Sequence, residues 1–186
     1  MHQQPDHSQL PRLQPEAYKG DAQVHWSLTM ADRSKGWLDD NFHWNMREVL
    51  VHASFRFGIC CPMYCAMPDH VHLIWLGWRS DSDQREAMKY FRKNLNRLLK
   101  PIGFKFQKQP YDHVFRESER NPHAIADVAD YVRQNPVRSR LSATAKEYDY
   151  SGCVLPGYPE LNIWDEDYWE RLWRVYAYLQ DSDSDS

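Results

Sequence analysis

Two histidines sit two residues apart in the run Met67-Pro68-Asp69-His70-Val71-His72-Leu73-Ile74-Trp75, and no other stretch restricts the fold as strongly. Side chains of an extended strand alternate between faces, so His70 and His72 point the same way. Their neighbours are apolar enough for a strand covered on both sides. A polar pair in such a strand is costly unless something satisfies it, and neutral imidazoles on one face suit a divalent metal ion. The alternative is two polar residues on a solvated strand face. Upstream, Ile59 to Ala66 reads as another strand. The Pro68-Asp69 turn is short enough to make the two an antiparallel hairpin.

The remaining elements follow from periodicity. Val24, Trp26, Leu28 and Met30 alternate as in a first strand. Asp40 or Asn41 can cap a helix reaching about Phe57, with Met46, Val49, Leu50, Ala53 and Phe57 as its apolar stripe and Gly58 as its stop. A second helix is expected over 84–100, with Met88, Phe91, Leu95, Leu98 and Leu99 facing the core. Phe104 to Phe115 carries weaker strand signals, demoted in the middle by Pro110. Asn121-Pro122 supplies an N-cap and a first-turn proline for a third helix, whose buried face is Ile125, Val128, Ala129 and Val132.

The order β-α-β-β-α-β-α predicts an α+β chain: a ferredoxin-like α/β sandwich with an antiparallel sheet and the Tyr131 helix after the fourth strand. Loop-rich residues 142–163 follow. Trp164, Trp169, Leu172, Trp173, Tyr176 and Leu179 then predict an aromatic C-terminal helix. Residues 1–20, with Pro5, Pro11 and Pro15, read as a flexible N-terminal arm, residues 21–180 as one domain, and the Asp-Ser alternation of 181–186 as a disordered acidic tail.

The net charge of −3 hides an asymmetry: residues 84–140 hold 13 Lys and Arg against 6 Asp and Glu. A basic middle in an acidic chain is a pattern that faces polyanions. Cys60, Cys61, Cys65 and Cys153 lack zinc-finger spacing and read as reduced, mostly buried thiols of a cytoplasmic protein. Neither a signal peptide nor an apolar run of transmembrane length is present, so no membrane partner is expected.

A second constellation is Asp130-Tyr131-Val132-Arg133-Gln134-Asn135-Pro136-Val137-Arg138. Tyr131 and Asn135 are four apart and share a helix face. Each alone is ordinary, since tyrosine is a common boundary residue and Asn before Pro a common helix terminator. Together with the histidine pair they carry a resemblance. His70-Val71-His72 followed by Tyr131 resembles the HUH single-strand nucleases with one catalytic tyrosine. Met67 to Leu73, Tyr111 to Arg116 and Asp130 to Arg138 resemble more narrowly the REP-associated tyrosine transposases. The resemblance spans about residues 22 to 180. It departs from the commoner family pattern at Arg138-Ser139-Arg140, where a loop change is expected.

The resemblance implies cleavage and transfer of single-stranded DNA near REP-type hairpins, by a monomer or homodimer in the cytoplasm and associated with the nucleoid. It implies Tyr131 as the nucleophile that forms a 5′-phosphotyrosine. It also implies His70, His72 and Asn135 as ligands of Mg²⁺ or Mn²⁺. Arg85, Lys89, Arg92, Lys93, Arg133 and Arg138 are expected to hold DNA phosphates, which positions a strand without reading it. Tyr90, Tyr111 and Tyr148 are competing tyrosines, but none has an amide one turn later beside a proline. A catalytically silent hairpin-DNA-binding protein is the alternative. A histidine-triad nucleotide hydrolase would need a third histidine where Ile74 stands.

Overall fold

The computed structural model describes residues 13–184. Its strands are β1 (Gln23–Thr29), β2 (Ile59–Met67), β3 (His70–Gly77), β4 (Tyr111–Val114) and β5 (Ser151–Val154). They form one sheet in the order β4-β1-β3-β2-β5, antiparallel throughout. The first four have the ferredoxin-like arrangement, and β5 extends it beyond β2. The helices are α1 (Asp40–Phe57), α2 (Gln84–Leu99), α3 (Pro122–Arg133), the single turn α4 (Asn135–Arg138) and α5 (Tyr168–Ser184).

Local signals set the helix ends. Asp39, one residue earlier than the sequence suggested, caps α1 by accepting from Phe42 N–H at 2.7 Å, and Gly58 ends the helix in the left-handed region. Asp83 caps α2 through Arg85 and Glu86 N–H, and Asn121 caps α3 through Ala124 N–H with Pro122 at the first helical position.

The sheet buries both faces. Val24, Trp26 and Leu28 of β1 and Val71, Leu73 and Trp75 of β3 pack with Met46, Leu50, Met88, Phe91 and Leu95 of α1 and α2. On the other face Ile74 and Leu76 pack with Ile125, Ala129 and Val132 of α3 and with Leu172 and Tyr176 of α5. Period-two alternation places His70 and His72 on this second face, in line with Ile74 and Leu76.

Pro62 sits inside the otherwise regular β2. The register of β2 with both neighbours shifts there, a β-bulge that spares the ladder a missing N–H. The bulge also changes the phase of the strand. Ile59 and Cys61 face α1 and α2, whereas Met63, Cys65 and Met67 face α3 and α5.

Three sequence expectations are corrected. Residues 15–20 of the expected arm belong to the fold: Pro15–Tyr18 form a 3₁₀ turn, Tyr18 is fully buried, and its hydroxyl donates to Asp112 at 2.5 Å. One aromatic anchor outweighs a proline-rich, polar composition. Residues 1–12 lie outside the described residues. At the other end Asp181 to Ser184 continue α5 instead of forming a disordered tail, and the Asp183 carboxylate accepts from Ser80 N–H at 2.8 Å. Within residues 142–163, read as loop, β5 pairs with β2. With four residues, one of them Gly152, it is too short to show a period.

Candidate functional site

The site is built on the half-buried N-terminal end of β3. The two Nε2 atoms of His70 and His72 converge to 3.0 Å, with ring planes at 90°. Each Nδ1 is occupied elsewhere. His70 Nδ1 donates to Asp69 Oδ1 at 2.7 Å, and Asp69 Oδ2 in turn pairs with Arg33 at 3.2 Å. His72 Nδ1 lies 3.1 Å from Nε2 of His25, on the neighbouring strand β1. These partners fix both rings and direct both Nε2 atoms to one point.

The electrostatics favour a neutral imidazole at His72 and at His25. Burial, then the neighbouring His70 and His25, lower the His72 pKa to about 3 against the pull of Asp69. Burial and His113 lower His25 to about 4. Burial works against the Asp69 carboxylate, but the hydrogen bonds and charges of His70 and Arg33 outweigh it and hold the group below its ordinary value.

The pair fits a divalent ion. Two ligands each about 2.1 Å from an ion and at right angles to one another are about 3.0 Å apart. Among the described residues no third His, Cys, Asp or Glu completes a metal-holding group. The other coordination positions would fall to neutral oxygens, an arrangement that suits an ion retaining waters.

Tyr131 and Asn135 stand on the α3 side of the sheet, the histidine side. α3 ends at Arg133, and Asn135 opens α4. The Asn135 amide nitrogen donates back to the carbonyls of Tyr131 and Val132, at 3.2 Å each, so its oxygen is the atom left for a ligand. Tyr131 is 50% exposed, and its hydroxyl has no hydrogen-bond partner among the described residues. The Arg138 guanidinium lies 4.6 Å from the centre of its ring and donates to its carbonyl at 3.0 Å.

No protein-family model matches the chain. A Haemophilus influenzae protein provisionally named a REP-associated tyrosine transposase is 21% identical over 139 residues, 68% of this chain and 76% of that protein. A solved structure described as a REP-associated tyrosine transposase bound to a REP hairpin shares the fold, with a TM-score of 0.63 at 17% identity over 77% of this chain and 81% of that one. The chain is similar to proteins described as REP-associated tyrosine transposases.

Beside this similarity to REP-associated tyrosine transposases, the six expected phosphate-holding residues divide between two layers. Arg133 and Arg138 are on the histidine side. Arg133 pairs with Asp130 and lies 5.5 Å over the Trp164 ring. Arg85, Lys89, Arg92 and Lys93 belong to α2, which packs on the opposite face of the sheet. Arg85 lies 5.8 Å over Tyr18, Lys89 pairs with Glu86 at 3.5 Å, and Lys93 is exposed. Arg92 alone reaches back to the sheet edge: it donates to the carbonyl of Gln107, whose N–H bonds the carbonyl of Thr29 opposite His70.

Sequence reasoning missed Asp69, His25 and Arg33 as supports of the pair. His25 carried a signal, as the polar member of an alternating strand. Arg33 carried none, because its contact depends on a turn of left-handed backbone at Asp32 and Arg33.

Proposed function

We propose that the chain cuts and rejoins single-stranded DNA beside REP-type hairpins through a covalent bond to Tyr131. The observation that carries this reading is the convergence of His70 and His72 Nε2 at 3.0 Å on the sheet face that the Tyr131 helix covers.

His70, His72 and the Asn135 oxygen would hold Mg²⁺ or Mn²⁺, and such an ion supplies polarisation of a non-bridging phosphate oxygen. The Tyr131 oxygen attacks phosphorus and gives up its proton, the bond to the 3′ oxygen breaks, and that oxygen leaves protonated. The 5′ phosphate stays on Tyr131, so the reverse attack by another 3′-hydroxyl restores a phosphodiester with no further energy source. Arg138 holds the tyrosine ring from one side and adds positive charge beside the incoming phosphate. Arg133 would contact the strand on the same side of the sheet. Arg85, Lys89, Arg92 and Lys93 would hold phosphates of the duplex part of a hairpin that wraps the opposite side.

The test is incubation of a labelled REP-type hairpin carrying a single-stranded flank with the protein and Mg²⁺ or Mn²⁺. The reading predicts a free 3′-hydroxyl fragment and a protein-linked 5′ fragment end, both dependent on the ion. Tight hairpin binding with no cleavage under either ion would leave the silent DNA-binding alternative in its place.

A further inference from the structure

The face that holds His70 and His72 is only partly covered, because α3 packs mainly on β2. The β1 side chains on this face are half-buried, and the open part lies over the edge strand β4, where Tyr111 and His113 are exposed. Register fixes which side chains share it. Tyr111 pairs with Ser27 and His113 with His25 across β4 and β1, and Ser27 pairs with His72 across β1 and β3. Directly opposed residues of antiparallel strands point to one face. Tyr111, Ser27 and His72 therefore form one row, and two strand spacings put Tyr111 about 10 Å from His72.

Tyr111 is 51% exposed, and its ring meets no other aromatic among the described residues. The His113 side chain is 45% exposed and pairs with Glu119 at 3.7 Å. Lys105 and Lys108, both exposed and without an acidic partner among the described residues, precede Tyr111 in the chain. The open Tyr111 ring, with the half-exposed His113 next to it (itself edge-on to Phe115 at 5.3 Å) and two exposed lysines just upstream in the chain, lies in one row with His72 and matches the chemistry of unpaired nucleotides. Bases stack on the rings, and the lysines meet the backbone. An added protein strand fits this edge poorly, since β4 has four residues and Pro110 immediately before it.

We propose that Tyr111, assisted by His113, is a stacking platform for unpaired bases of single-stranded DNA next to the phosphate held at His70 and His72. The proposal rests on the single-strand reading above and adds the subsite that grips the strand. Because base–aromatic stacking is sequence-tolerant, (dT)20 serves as the probe.

Fluorescence anisotropy would compare wild type, Tyr111→Ala and Tyr111→Phe on (dT)20, on a 20-unit abasic strand and on a 20-base-pair duplex. Wild type should prefer (dT)20 to the abasic strand. Tyr111→Ala should lose about tenfold on (dT)20 and nothing on the other two probes, and Tyr111→Phe should bind as wild type. Equal (dT)20 binding by wild type and Tyr111→Ala, or an equal loss on all three probes, overturns the platform. The Tyr131→Phe variant separates the two ideas. If wild type forms a Tyr131-dependent adduct while Tyr111→Ala binds and cleaves unchanged, only the platform fails. If wild type binds neither single strand nor hairpin, the single-strand reading fails with it.

Discussion

His70 Nε2 stands 3.0 Å from His72 Nε2, each ring tethered through its other nitrogen, to Asp69 in one case and to His25 in the other. A pair held this way is preorganised for an ion, and its supports are as testable as the ligands. The double variant His70→Ala, His72→Ala should show no Mn²⁺ binding by calorimetry while keeping the wild-type circular dichroism spectrum. Asp69→Asn should keep the fold and bind Mn²⁺ on the order of ten- to a hundredfold more weakly. Wild-type affinity in the double variant would remove the metal from this site.

The division of basic residues between two layers predicts a division of effect. Arg92→Ala with Lys93→Ala should weaken hairpin binding and flatten its salt dependence, since fewer counterions are released. The cleavage rate at saturating DNA should not change. Arg138→Gln should do the reverse, slowing single-turnover cleavage at saturating DNA with little change in hairpin affinity, because it lies over Tyr131. Equal effects of the two variants on rate would contradict the assignment of layers.

His43 lies away from that site, between α1 and β2, where its Nε2 is 3.0 Å from the Tyr64 hydroxyl. Burial and Arg47, against Asp40 and Asp149, lower its pKa to about 4. From the ordinary value near 6.5 down to about 4, the unfolded chain takes up a proton that the folded chain does not. This group therefore favours folding fully above pH 6.5, and its contribution is lost as pH falls through that window. Urea melts at pH 7 and pH 4.5 should show a smaller drop in stability for His43→Gln than for wild type.

A stability prediction concerns the end of β3. A methyl group on Gly77 would lie 1.9 Å from the carbonyl oxygen of Gly20, so backbone and not a pliable side chain would have to move. Gly77→Ala should cost about 3 kcal/mol or more, read as a lowered thermal midpoint. A midpoint within a degree of wild type would mean that this close approach is not maintained.

The pairing of His70 with His72 on one face was legible because strand geometry leaves no alternative once Val71, Leu73 and Trp75 fix the other face. The cap at Asn121 was legible for a similar reason, being a short-range exchange of one side chain for a free N–H group. The layer of α2 was not read from its own stripe, since a helix with Phe91 and Leu95 buried fits either face of a sheet. The ferredoxin-like order and right-handed crossovers carry that information, and they place α2 beside α1 and away from His70. Tyr18 and His25 went unread because their partners, Asp112 and His72, lie 94 and 47 residues away.

The central claim is that Tyr131 makes the covalent bond, and it is tested most directly by mass spectrometry of protein trapped on a labelled hairpin with a single-stranded flank, in the presence of Mn²⁺. The account predicts a nucleotide adduct on the peptide containing Tyr131, linked through a 5′ phosphate. It also predicts no adduct and no cleavage for Tyr131→Phe, which should still bind DNA and Mn²⁺ as wild type does. Undiminished cleavage by Tyr131→Phe, or an adduct on Tyr90, Tyr111 or Tyr148, would contradict it.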